Sequence, residues 1–204
     1  MRFLFLFLAL ALAACGGGRA PAPQPRPQVD IRQCLAGLSR AGVKYRALPD
    51  RSFAGGCSAI GAVQLLDIGV PVTHLTAMTC PLASAFAQWT RDAGALARAS
   101  LGAGLARIES FGTYACRPIN NQAGGRLSEH GRANAVDIAA FVLTDGRRIT
   151  VVDGWNGPDE HVRSFLRQVH RAGCRRFSIV LGPDANSLHN NHLHFDMGRG
   201  PYCR

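Results

Sequence analysis

Three of the seven histidines lie in one short segment, Ser187-Leu188-His189-Asn190-Asn191-His192-Leu193-His194-Phe195-Asp196. Apolar positions alternate with histidines there, which is typical of a strand, where residues two apart share a face. We therefore expect His192 and His194 to point the same way, with Leu193 and Phe195 facing a core. Paired imidazoles suit a metal site, because neutral imidazole is a common zinc ligand. A solvated histidine-rich loop would also explain the cluster.

A second segment favours the metal site, and it reads Ser128-Glu129-His130-Gly131-Arg132-Ala133-Asn134-Ala135-Val136-Asp137-Ile138. Asp137 falls inside an apolar strand, where a carboxylate is costly unless it is paired or bound to a cation. Small residues between His130 and Asp137 allow the intervening chain to fold back. With one histidine of the later segment added, the set is His, Asp, His with one open position, the pattern of catalytic rather than structural zinc.

These segments together resemble a known family. Ser-x-His-x6-Asp followed by a late His-x-His resembles the LAS-type zinc peptidases of bacterial cell walls, which include D-Ala-D-Ala carboxypeptidases and murein endopeptidases. A wider set is similar to the bacterial extensin-like C-terminal domain, a branch of that group. This set comprises Tyr114-Ala115-Cys116-Arg117, Ser128 to Asp137, Val180-Leu181-Gly182-Pro183 and His189 to Asp196. The resemblance covers residues 30–204.

The resemblance implies one zinc ion held by His130, Asp137 and His194. His192 lies two residues from a ligand on the same strand face, so it could act as general base and then protonate the leaving amine. His189 would assist or orient His192, although as a loop residue it could equally be a surface histidine.

The remaining candidates flank this set. Arg117 matches the arginine that family members place near the scissile carbonyl, where a guanidinium would stabilise an oxyanion; a surface salt bridge is the alternative. Ser128 and Asp196 would orient a ligand or bind substrate, and Glu129 would be solvated. Asn191 stands where the carboxypeptidase branch has a glutamate base, so an endopeptidase is favoured over a D,D-carboxypeptidase.

The resemblance therefore implies a zinc-dependent peptidase that cleaves a peptide bond in peptidoglycan stem peptides or cross-links. Two other classes stay open. One is a catalytically silent peptidoglycan-binding lipoprotein that keeps the fold and the metal site. The other is a metal-delivery lipoprotein, although such a protein would more often carry a mobile His/Asp-rich tract than ligands on distant strands.

The N-terminal region predicts export and a lipid anchor. Residues 1–14 have a positive start and an apolar run too short to span a bilayer, which is typical of a signal peptide. The run ends in Leu12-Ala13-Ala14-Cys15, which resembles a lipobox, so Cys15 is the expected lipidation site; an ordinary signal with a chance cysteine is the alternative. Residues 15–29 form a Pro/Gly-rich tether. We expect a periplasmic protein with its lipid in a membrane, with the outer membrane favoured.

Net charge is +10 at pH 7, which favours anionic partners such as the peptidoglycan sacculus or lipid headgroups. Nucleic acid is not expected as a partner of a protein that carries a signal peptide. An arginine-rich composition without any anionic partner would give the same net charge. We expect a monomer.

Seven cysteines are an odd number, and assigning Cys15 to lipid leaves six that an oxidising compartment would pair. The resemblance and the order of segments favour the pairs Cys34–Cys57, Cys80–Cys116 and Cys174–Cys203.

Residues 30–204 predict one disulfide-stabilised α+β domain, with helices packed on a mainly antiparallel sheet around a LAS/Hedgehog-like zinc peptidase core. Helices are expected over 30–40, 79–99 and 158–171, with Gly173 ending the last. Strands are expected over 105–117, 176–181 and 192–197. A hairpin is expected to join 136–142 to 147–152 across Asp145-Gly146.

Overall fold

The computed structural model describes residues 30–204. Residues 1–29, which include the predicted signal segment, Cys15 and the tether, lie outside the described residues. Within residues 30–204, no helix is both long enough and apolar enough to cross a membrane. The fold mixes helices with mainly antiparallel sheet, as the hydrophobic patterns predicted.

The described part of the chain has four α-helices and eleven strands. The helices are α1 (Ile31–Arg40), α2 (Cys80–Leu101), α3 (Val151–Gly154) and α4 (Glu160–Cys174). The strands are β1 (Lys44–Ala47), β2 (Arg51–Ser52), β3 (Ser58–Ala59), β4 (Ala62–Asp67), β5 (Met78–Thr79), β6 (Leu105–Gly112), β7 (Ala135–Leu143), β8 (Arg148–Thr150), β9 (Ile179–Leu181), β10 (Leu193–Asp196) and β11 (Tyr202–Cys203).

A six-stranded sheet supports the candidate site. Its order is β11-β9-β10-β7-β6, and β8 pairs with β7. Every pair is antiparallel except β11 with β9. The register of β10 on β7 places His194 directly opposite Asp137. Smaller sheets, β1-β4-β5 and β2-β3, lie outside this sheet.

Helices α2 and α4 build the core against the sheet. The core-facing side of α2 is buried, with Phe86 and Trp89 fully inaccessible. The Trp89 ring packs edge-on against Phe195 of β10, with centroids 4.9 Å apart. Its Nε1–H donates to the carbonyl oxygen of Val169 on α4 at 2.9 Å, so burial leaves no unpaired donor. Leu193 is also buried, which confirms that the apolar side chains of β10 face the core.

The predicted helix boundaries are confirmed to within a few residues. Asp30 caps α1, because its carboxylate accepts from the backbone N–H groups of Arg32 and Gln33. Gly173 does not end α4, which continues to Cys174. A Cβ at Gly173 would lie 2.8 Å from the Phe195 ring, so glycine there permits close helix–sheet packing.

Several strand boundaries differ from those predicted, and β9 begins at Ile179 rather than at residue 176. β6 ends at Gly112, which has a φ of 122°, and the chain then leaves the sheet toward the site. The Asp145-Gly146 hairpin is confirmed, but Val151 begins helix α3, because the Thr150 hydroxyl accepts from the backbone N–H of Asp153. β10 begins at Leu193, so His192 directly precedes the strand.

All six predicted cysteines form disulfides, but two of the three predicted pairings are wrong. The bonds are Cys34–Cys80, Cys57–Cys116 and Cys174–Cys203. Cys34 pairs with Cys80 rather than Cys57 because α1 packs against α2, and Cys80 is the first residue of α2. Cys116 therefore pairs with Cys57, which joins the segment carrying Arg117 to the loop before β3.

Candidate metal centre

His130 projects from a single 3-10 turn, Glu129–Arg132, that precedes β7. The Ser128 hydroxyl accepts from the backbone N–H of His130 and so caps the turn. Ala133 has a φ of 53°, a left-handed conformation that reverses the chain into β7. This turn brings His130 beside Asp137, as the small residues between them predicted.

The side chains of His130, Asp137 and His194 meet in a buried cluster. Asp137 Oδ1 lies 2.8 Å from His194 Nδ1, and Asp137 Oδ2 lies 3.1 Å from His130 Nε2. The two histidine nitrogens are 3.2 Å apart. Each side chain therefore offers one donor atom to a common point, and all three residues are buried.

Hydrogen bonds on the far side of each ring determine which nitrogen faces the cluster. His130 Nδ1 lies 3.0 Å from the carbonyl oxygen of Thr113, so Nδ1 carries the proton and Nε2 keeps its lone pair. His194 Nε2 lies 2.8 Å from Asp196 Oδ2 and donates to it, so Nδ1 has a lone pair whenever the His194 ring is neutral. Two lone pairs and a carboxylate thus face one another, an arrangement that a divalent cation satisfies.

Electrostatics in the cluster are consistent with a cation site. Burial raises the pKa of Asp137, but its close contacts with the His130 and His194 imidazoles outweigh burial and hold that pKa far below its usual range. Burial opposes the charge on His194, yet hydrogen bonds to Asp137 and Asp196 raise its pKa to about 9. In the metal-free protein a proton on His194 therefore occupies the position that a metal ion would take.

His192 and His189 lie beside the cluster. His192 Nε2 is 3.6 Å from Asp137 Oδ1, and the His189 and His192 ring centroids are 5.0 Å apart. Burial lowers the pKa of both, and that of His189 falls to about 4, also through repulsion from His192 and His194. Both rings are therefore neutral at pH 7.

Each of these two rings is held by an amide. His192 Nδ1 lies 2.8 Å from Asn191 Oδ1, and His189 Nδ1 lies 2.8 Å from Asn186 Oδ1. Nδ1 therefore carries the proton in both histidines, and Nε2 is left free to accept one. The sequence singled out Asn191 only as the replacement for a glutamate, whereas here its amide fixes the His192 tautomer.

The cluster lies in a cleft of about 1240 Å³. Arg117, His189, His192 and the three cluster residues all line it, so the structure brings the predicted catalytic and metal-binding residues together. Arg117 is half-buried and forms no salt bridge among residues 30–204, so the alternative that it pairs with a surface carboxylate is not observed.

A family model described as the extensin-like protein C-terminus matches residues 32–204. The chain belongs to this family. No match to a curated protein or to a solved structure was found. The matched range contains the whole cluster and every disulfide of the described residues.

Within this extensin-like domain, Asp196 and Ser128 contact the cluster in different ways. Asp196 is buried and accepts from His194 Nε2 through one oxygen and from the backbone N–H of Gly198 through the other, at 2.7 Å. The Ser128 hydroxyl is hydrogen-bonded to the backbone N–H of His130 and not to a cluster side chain. Asp196 thus orients a candidate ligand directly, whereas Ser128 stabilises the turn that carries one.

Two features of the extensin-like domain were missed from the sequence. Thr113 orients His130 through its backbone carbonyl, and no side-chain pattern signals that role. Glu129, which was predicted to be solvated, is half-buried, lines the open cleft and accepts from Asn134 Nδ2 at 2.6 Å. Glu129 directly precedes His130 in the sequence, and this adjacency was the signal that Glu129 would lie at the cleft.

A second group of metal-ligand types, His170, Cys174 and Cys203, also comes close together in the extensin-like domain. Cys174 and Cys203 are bonded to each other, so their sulfurs are not thiolate ligands. His170 Nε2 lies 3.2 Å from the carbonyl oxygen of Arg204. We therefore treat this group as structural.

Proposed function

We propose that the extensin-like domain is a zinc-dependent peptidase that cleaves a peptide bond in peptidoglycan stem peptides or cross-links, built on a LAS/Hedgehog-like core. The observation that carries the proposal is the convergence of His130 Nε2, Asp137 and His194 Nδ1 at the floor of an open cleft. A buried site with three protein ligands and access to the exterior is typical of catalytic zinc.

A zinc ion held by these three residues would supply a Lewis acid that polarises a carbonyl and lowers the pKa of water. The chain fixes the ligands through their outer contacts. The Thr113 carbonyl holds the His130 tautomer, and Asp196 holds that of His194 and increases its basicity.

His192 has the position and protonation state of a general base. Its pKa is lowered by burial, so the ring is neutral at pH 7, and its proton is on Nδ1 beside Asn191. Nε2 can therefore accept a proton near Asp137 and later donate it to a leaving amine. His189 packs against the His192 ring and limits its orientations.

Arg117 provides the positive charge that the reaction would need. Arg117 lines the same cleft as His189 and His192. A guanidinium in that position would stabilise the negative oxygen that forms when a peptide carbonyl is attacked.

The size of the cleft supports a polymeric substrate. A volume of about 1240 Å³ exceeds the roughly 300–1,000 Å³ of small-molecule sites. An extended peptide cross-link would fit such a cleft better than a free amino acid. Asn191 in place of a glutamate base further favours an endopeptidase over a carboxypeptidase.

The proposal includes the location of the protein. A lipid on Cys15 and the tether over 15–29 would anchor the domain in the periplasm, with the outer membrane favoured, as a monomer within reach of peptidoglycan. The net charge of +10 is compatible with an anionic wall.

Digestion of purified sacculi tests the proposal. The wild type should release new muropeptides, seen by mass spectrometry, and His192→Ala should reduce the rate by about 10²-fold or more. His161→Ala, an exposed histidine on α4, is the matched control and should digest normally. Zinc content of each variant should be measured, since His192 is not a proposed ligand. Sacculi that bind the zinc-loaded protein but stay uncut would favour the catalytically silent binding module.

A further inference from the structure

Three exposed arginines, Arg126, Arg132 and Arg199, line the same cleft as the metal cluster. We call them the arginine rim. Among residues 30–204, none of them lies within salt-bridge distance of a carboxylate. Elsewhere in the domain arginines do find partners, as Arg148 does with Glu109 at 2.6 Å.

The acidic residues of the cleft are already engaged at its floor. Asp137 and Asp196 bind the cluster histidines, and Glu129 accepts from Asn134. None of these carboxylates neutralises the arginine rim, although all of them line the cleft. The cleft therefore combines a carboxylate-rich floor with an unneutralised cationic rim.

The rim arginines come from separate segments around the floor. Arg126 follows the 3-10 turn Ile119–Asn121, Arg132 ends the turn that carries His130, and Arg199 follows β10. A ligand at the rim would therefore meet positive charge from more than one segment of the chain. An anionic group would be favoured at the rim by the positive charge that no carboxylate of the described residues neutralises there.

We propose that the arginine rim binds free carboxylates on a peptide substrate at positions removed from the scissile bond, so that the domain selects carboxylate-bearing wall peptides over amidated ones. Guanidinium groups suit this task because they bind carboxylates bidentately. The inference rests on the proposed function for the peptide nature of the ligand. It adds charge selection by residues that the catalytic proposal does not use.

Isothermal titration of the purified zinc-loaded protein tests this selection. The probes are a soluble wall stem peptide with free carboxylates and the same peptide with those carboxylates converted to primary amides. The wild type should bind the free peptide about fivefold to tenfold more tightly, and this preference should shrink as NaCl is raised from about 20 to about 300 mM.

The double variant Arg126→Gln/Arg199→Gln, which keeps only Arg132 of the rim, should lose most of this preference. Its matched control, Arg91→Gln/Arg98→Gln, removes the same charge from exposed positions of α2 and should keep the preference. Circular dichroism and zinc content of both variants separate loss of selection from loss of fold.

Equal binding of the two peptides by the wild type, or no binding of either, would overturn the inference even if sacculi are cut. The same is true if inorganic polyphosphate displaces the free peptide at equal concentration, because the rim would then be a general anion site. If the protein prefers the free-carboxylate peptide but does not cut sacculi, the arginine-rim proposal is supported and the peptidase proposal alone fails.

Discussion

Replacing Asp196 with asparagine should weaken zinc binding while leaving the fold intact. Asp196 uses both carboxylate oxygens, one for His194 Nε2 at 2.8 Å and one for the backbone N–H of Gly198 at 2.7 Å. Asparagine has only one oxygen, so its NH₂ group must face one of these two donors. The site is buried, and solvent does not replace the lost hydrogen bond.

Either orientation of the introduced amide disfavours metal binding. With the NH₂ group toward His194, the ring must accept through Nε2, and its proton moves to Nδ1, where it blocks the ligand position beside Asp137. With the NH₂ group toward Gly198, the backbone N–H loses its acceptor, at a cost of roughly 1–3 kcal/mol. In both cases the negative charge that increases the basicity of His194 is lost. We expect zinc affinity to fall by about 10- to 100-fold, or roughly 1.4–2.7 kcal/mol.

Competition with a chromophoric chelator at pH 7.5 measures this difference, and circular dichroism checks the fold. Asp145→Asn is the control, because Asp145 is exposed at the β7–β8 turn and pairs only with Arg147. The control should match the wild type. A dissociation constant for Asp196→Asn within about twofold of the wild type would refute the reasoning, since the tautomer of His194 would then not depend on Asp196.

The other predictions concern stability. The folded-state pKa of His194 is about 9, above its ordinary value of 6.5. The zinc-free protein should therefore be most stable below pH 6.5, and its free energy of unfolding should fall by roughly 3 kcal/mol as pH rises to about 9. Urea unfolding in EDTA measures this, and His194→Gln should flatten the dependence of the unfolding free energy on pH. Gly173→Ala should destabilise by about 1–3 kcal/mol, because its Cβ would lie 2.8 Å from Phe195, which thermal unfolding tests. Cys57→Ala/Cys116→Ala opens a link of sequence separation 59 and should cost about 4 kcal/mol in urea unfolding.

Gly94→Ala is the matched control for Gly173→Ala. Gly94→Ala also places a methyl group on a helix, but only Arg98 Nη1 lies within 4 Å of it, at 3.8 Å, so it should stabilise by roughly 0.5–1 kcal/mol. Equal effects of Gly94→Ala and Gly173→Ala would contradict the close packing on Phe195. A zinc-free stability that stays constant between pH 6.5 and 9 would contradict the elevated pKa of His194.

The candidate ligands could be predicted from the sequence because local rules determine them. Alternation along a strand separates His194 from Leu193 and Phe195, and a carboxylate in the apolar strand around Asp137 requires a partner. The small residues after His130 allow the turn that joins the two segments. Each of these signals lies within a few residues of the side chain that it concerns.

Features that depend on tertiary packing could not be predicted in the same way. The Cys34–Cys80 pair follows from how α1 lies on α2, which neither segment order nor spacing determines. The Thr113 carbonyl that orients His130 is a backbone group that any residue could supply. The arginine rim is unpaired because no carboxylate of the described residues lies near enough to it, and the tertiary packing, not the local sequence, decides where the carboxylates lie.

The proposed chemistry depends most on one cation bound by His130, Asp137 and His194. Anomalous diffraction at the zinc edge from crystals of the zinc-loaded protein tests this directly. We predict one peak per chain, about 2.0–2.2 Å from His130 Nε2, an Asp137 carboxylate oxygen and His194 Nδ1. A peak elsewhere, or zinc-loaded crystals with no peak among these three atoms, would contradict the metal centre and with it the proposed peptidase.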